Sequence, residues 1–101
     1  MKLLLCTIPT PEAQQFARLL VTDLGAACVS VRDSVTSVYR WQGEVCEEQE
    51  TLLMIKVASS RVEALREALV EKHPYDLPEV LSLAVDEASS FAPYIEWVER
   101  S

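Results

Sequence analysis

Between Ala26 and Val57 the chain has no proline and a single glycine, Gly43, so two long strands joined by one tight turn are nearly all this stretch can form. Val29, Val31, Val35, Tyr39 and Trp41 share one parity, and Ser30, Arg32, Ser34, Thr36 and Arg40 share the other. That alternation has the period of a strand. Gln42-Gly43 supplies residues suited to a tight hairpin turn. Glu44 to Val57 returns as a second strand, polar first and strongly apolar from Leu52 onward.

The length of this ribbon limits what can surround it. Fifteen residues at ~3.3 Å each span about 50 Å, whereas a compact domain of this size has a radius of gyration of ~13 Å. The distal half, with Tyr39 and Trp41, cannot be buried by its own domain, and an isolated two-stranded ribbon is marginal in water. The ribbon is therefore expected to pack on other copies of the chain. Asp33 and Ser37 interrupt the apolar parity and mark a bulge or break between residues 33 and 37.

The flanking segments complete the pattern. Leu3 to Ile8 is a short apolar run ended by Pro9, which fits a buried strand. Thr10 is placed to cap a helix and Pro11 to begin it. Phe16, Leu20 and Leu24 then recur at helical spacing, and Gly25 stops the helix. Ser60-Arg61-Val62-Glu63 has the spacing of a capping box, and Val62, Leu65 and Leu69 give the stripe of a second helix ending near Lys72. Val80 to Val85 alternates as a further strand. Phe91, Tyr94, Ile95 and Val98 mark a short C-terminal helix starting at or just before Pro93. The order is β-α-β-β-α-β plus a helix: an α+β, ferredoxin-like sheet of four antiparallel strands with two helices on one face. The 101 residues, 1–101, make one domain.

Charge and cysteine usage exclude several functions. A formal net charge of −7 with no basic run disfavours nucleic-acid binding. Cys6, Cys28 and Cys46 are odd in number and form no C-x-x-C pair, which argues against a disulfide framework or a zinc ribbon and for reduced thiols in the cytoplasm. The apolar start stops at Ile8, too short for a secretory leader, and no window approaches a membrane span, so no membrane partner is expected. With one histidine and no G-x-S-x-G, no nucleophile–base pair is legible, and the chain is not expected to be an enzyme. Glu47, Glu48 and Glu50 read as a solvated strand segment.

The densest group of chemically capable side chains is His73-Pro74-Tyr75-Asp76-Leu77-Pro78-Glu79, where two prolines stiffen a turn that carries an imidazole, an aromatic ring and carboxylates. Together with Cys6-Thr7-Ile8-Pro9, Ala26-Ala27-Cys28-Val29, Ser37-x-Tyr39-x-Trp41-x-Gly43 and Tyr94-x-x-Trp97, it resembles the CutA family of divalent-cation tolerance proteins over nearly the whole chain. The resemblance implies a ferredoxin-like fold assembled as a homotrimer through its long hairpins. It also implies a link to copper and other divalent cations, an architecture similar to PII signalling proteins, and no established enzymatic activity.

In that family, metal binding is associated with the first-strand cysteine, a histidine before the signature proline and the glutamate after the second proline. The resemblance thus implies Cys6, His73 and Glu79 as candidate metal ligands. Lys72 stands where some members carry the first of two histidines. Thiolate, imidazole and carboxylate together suit copper or zinc. The expected function is a divalent metal ion (copper) tolerance or response protein binding divalent cations as a homotrimer. The alternative is a PII-like small-molecule sensing module without a specific metal site, with Tyr39, Trp41, Tyr75 and Trp97 as aromatic walls.

Overall fold

Alternating burial sets the architecture. In the computed structural model, which describes residues 1–101, strand β1 (Lys2–Ile8) buries Leu4, Cys6 and Ile8 completely and leaves Leu3, Leu5 and Thr7 half-buried on the opposite face. It runs antiparallel to β3 (Glu44–Val57), where Thr51, Leu53, Ile55 and Val57 are the buried partners. β2 (Cys28–Trp41) and β4 (Leu81–Ala84) complete an antiparallel sheet in the order β2-β3-β1-β4, as the ferredoxin-like expectation requires. Helix α1 (Thr10–Thr22) brings Ala13, Phe16, Ala17 and Leu20, and α2 (Val62–Lys72) brings Leu65 and Leu69, onto one sheet face to form the main core.

Local signals differ from expectation in three places. Thr10 is the first helical residue, not the cap, and its hydroxyl is 3.0 Å from that of Thr51. The capping box at Ser60 does not form: a short 3-10 turn over Ser59–Arg61 precedes α2, and no side chain caps the helix. The neighbouring Ser59 instead bonds Glu99 through its backbone N–H and hydroxyl. Helix α1 ends at Thr22, so Gly25 lies beyond it. There, at φ +94°, Gly25 turns the chain so that the Ala26 N–H reaches the Leu20 carbonyl.

The hairpin has the expected length and turn. Gln42 and Gly43 both take positive φ, the conformation of a primed turn whose twist matches the strands. The ribbon sets the long dimension of the molecule, 44 Å against 28 and 22 Å. The bulge falls at Asp33-Ser34: Arg32 faces Leu52 but Val35 faces Glu50, so two residues oppose Thr51. The buried Thr51 hydroxyl donates to the Asp33 carboxylate at 2.8 Å, tying the bulge to the core. One extra residue exchanges the faces of everything beyond it. Val29 and Val31 therefore point toward the helices, whereas Val35, Tyr39 and Trp41 point the other way despite their shared parity.

Helix α3 (Ala92–Arg100) closes one end of the sheet, burying Ile95 and Val98 with Met1 against Ala27 and Val85. Phe91 and Tyr94, the rest of its expected stripe, remain exposed. The Met1 ammonium sits 2.6 Å from both the Glu87 and the Glu99 carboxylates. Burial opposes its charge, but the two carboxylates outweigh burial and raise its pKa above the ordinary 8.0. The same ammonium, helped by Ser59, lowers that of Glu99 below the ordinary 4.5. The ammonium's contribution is complete below its unfolded pKa and is lost as pH rises through the raised folded value. That of Glu99 is complete above its unfolded pKa and is lost as pH falls through the lowered folded value. The difference in thermal midpoint between the native sequence and a Glu87→Gln/Glu99→Gln variant is therefore expected to be largest between pH 4.5 and 8.0 and to shrink on both sides. A pH-independent difference would show that the ion pairs do not dock α3.

No helix is long and apolar enough to cross a membrane. The sheet face opposite α1 and α2 is only partly covered: Leu3, Leu5, Leu52 and Met54 are half-buried, and Leu81 and Leu83 are exposed.

Candidate functional site at the signature turn

The turn after α2 owes its shape to Pro74. A residue preceding proline is pushed out of helical conformation, and His73, the C-cap of α2, sits at φ −68°, ψ 142° while its N–H still bonds the Leu69 carbonyl. The imidazole is 7% exposed. It lies beside β1 at Thr7, beyond the reach of β4, which pairs only with Lys2–Leu5. There Nε2 is 2.9 Å from the Thr7 carbonyl, and Nδ1 accepts the Tyr75 backbone N–H at 3.0 Å. A carbonyl only accepts and an amide N–H only donates, so the tautomer is fixed: Nε2 carries the proton and the Nδ1 lone pair is occupied. Phe16 meets the ring edge-on at a centroid distance of 5.9 Å, and Tyr75 packs tilted at 4.9 Å.

The hydrogen bonding continues to the base of the hairpin. The Tyr75 hydroxyl donates to Glu50 Oε2 at 2.7 Å, and burial together with the Glu50 charge raises the phenol pKa. Glu50 is 5% exposed, not the solvated strand residue its neighbours Glu47 and Glu48 suggest. Its sequence signal is its place at the polar-to-apolar switch of β3, next to the buried Thr51. One chain of contacts thus joins β1, the end of α2 and the root of the ribbon.

Cys6 faces the core with no exposure. Burial first, then the nearby Glu79 and Glu50 charges, push its thiol up to about 12, so it is protonated at neutral pH and donates weakly to the Thr7 carbonyl at 3.6 Å. Glu79 is exposed. The three expected ligands therefore occupy one corner of the fold, yet they do not present a ligand set. A metal needs a deprotonated thiol and a free imidazole lone pair, and this corner offers a buried thiol and a ring with both nitrogens engaged. Throughout the chain, no group of three His, Cys, Asp or Glu side chains is arranged to hold a metal ion. The residues do not fit a resident cation within one chain. Beside the turn, Glu12, Gln15, Phe16, Leu19, Lys72 and Pro74 line only a shallow depression of about 280 Å³.

Comparison with known proteins agrees with this fold. A family model described as CutA1 divalent ion tolerance protein matches residues 2–101. The Divalent-cation tolerance protein CutA of Thermus thermophilus is 38% identical over 99% of this chain and 96% of its own length. The Protein CutA homolog of Xenopus laevis is 45% identical over 85% of this chain, which spans only 56% of that longer relative. The solved structure of a PII-like protein CutA from Nostoc, in apo form, superposes with a TM-score of 0.94 at 41% identity, covering 99% of this chain and 95% of that one. With the family model matched over nearly the whole chain and the fold shared with a solved relative, the chain belongs to the CutA1 divalent ion tolerance family.

Proposed function

We propose that the chain is a non-enzymatic, PII-like homotrimeric module of divalent-cation tolerance, acting in the cytoplasm, where its three unpaired cysteines stay reduced. The observation that carries this reading is the half-covered apolar sheet face continuous with a ribbon that overhangs its own domain. A monomer would leave both in water, and a contiguous apolar patch of this kind marks an interface. Copper or another thiophilic cation meets this module only adventitiously, at the half-exposed Cys46 thiol of the ribbon, and Cys6, His73 and Glu79 act as architecture.

Native mass spectrometry of the reduced protein titrated with copper tests both parts. The expected result is a trimer whose copper is kept in Cys6→Ala and lost in Cys46→Ala. A monomer at micromolar concentration would overturn the assembly. One copper per chain lost with Cys6→Ala alone would restore the corner of Cys6, His73 and Glu79 as a metal site.

A further inference from the structure

A second group of reactive side chains meets on the opposite sheet face, at the end closed by α3. Cys28 and Lys56 are directly paired across β2 and β3. The Lys56 ammonium donates to the Ser30 hydroxyl and lies 3.8 Å from the Cys28 sulfur. The Tyr94 hydroxyl, from α3 of the same chain, approaches the same thiol. Cys28, Ser30 and Lys56 are all half-buried. Cys28 lies on the edge strand β2, at the rim of the sheet face, where a small oxidant and then an external thiol can reach its sulfur. None of these groups takes part in the packing at the signature turn.

We propose that Cys28 and Lys56 form a reversible sulfur–nitrogen cross-link when the protein meets a peroxide. In the first step, a peroxide oxidises the Cys28 thiol to a sulfenic acid and is itself reduced to water or an alcohol. In the second, Lys56, after releasing its ammonium proton to solvent, attacks sulfur through its free amine. The S–O bond breaks, the departing hydroxide takes a proton from the attacking nitrogen, and one water leaves. The product, Cys28-S–NH-Lys56, forms without further oxidation. An external thiol reverses it by attacking sulfur, returning the amine and leaving a mixed disulfide that a second thiol reduces.

Proximity favours this outcome over further oxidation. The nucleophile is held next to the sulfur by strand register, so its capture of the sulfenic acid is intramolecular. Cys6, shielded in the core, has no such partner, and Cys46 pairs across the ribbon with Tyr39. The cross-link would staple β2 to β3 beside α3 within a single chain.

The test uses the full chain in a Cys46→Ala background, treated with hydrogen peroxide, quenched and digested with trypsin. The expected species is lighter than the reduced protein by two hydrogens. It contains the Cys28 segment 19–32 joined to segment 41–61, uncleaved after Lys56, and it reverts fully on treatment with dithiothreitol. In Lys56→Arg, and in Lys56→Gln should the arginine perturb packing, the joined segment is lost and Cys28 is trapped by dimedone instead. Equal dimedone trapping of Cys28 with lysine present, or no reaction at Cys28 at all, would overturn the proposal.

Discussion

Replacing His73 by alanine is expected to cost about 3–5 kcal/mol of stability while leaving copper uptake unchanged. The substitution removes a ring packed against Phe16 and Tyr75. It also strips partners from two backbone groups, the Thr7 carbonyl and the Tyr75 N–H. A buried donor or acceptor left unmatched costs about 1–3 kcal/mol, and the cavity adds to that. The Tyr75–Glu50 bond loosens with the turn and extends the damage to the root of the ribbon. Denaturant midpoints measure the loss. Asn in place of His73 keeps one donor and one acceptor and should recover part of it, because the requirement is for hydrogen bonding rather than metal ligation. Long-range proton–nitrogen NMR of the native protein should show the Nε2–H tautomer. A His73→Ala variant of unchanged stability that no longer takes up copper would refute this role.

Leu5→Glu is expected to convert the proposed trimer to a monomer at micromolar concentration. Leu5 lies in register between Met54 and Leu81, at the middle of the uncovered sheet face. It is only half-buried within the chain, so a carboxylate there can reach water while the protein is alone. Closing that face against another copy would trap the charge without a partner, which costs several kcal/mol per ion and recurs in every subunit. Sedimentation or light scattering reads the mass, and circular dichroism confirms that the sheet survives. A Leu5→Glu protein that remains trimeric would place the assembly interface elsewhere.

These two substitutions probe features that differ in how far the sequence reveals them. The strand pattern of β1, the long ribbon, its turn at Gln42-Gly43 and a bulge between residues 33 and 37 are all legible in the linear chain, because period-2 burial and turn chemistry act over a few residues. The shared parity of Val31 and Val35 misleads for a definite reason: one bulged residue exchanges faces, and parity counting does not register it. Thr10 and Ser60 mislead differently. Each carries a helix-capping signal, but the Thr10 hydroxyl meets the buried Thr51 instead, and a 3-10 turn displaces the capping geometry at Ser60. Glu50 looks like its exposed neighbours until Tyr75 arrives from another part of the fold.

What the sequence by itself determined is the order of elements and the overlong ribbon, because apolar periodicity and chain length are local quantities. It also gathered Cys6, His73 and Glu79 as candidates, through the resemblance carried by the signature turn. Only the tertiary structure decided what their atoms are free to do. The carbonyl that fixes the His73 tautomer lies 66 residues away, and the burial that keeps Cys6 protonated comes from helices packed across the sheet. A side chain's lone pairs are committed by whatever folds against them, and no spacing along the chain records that.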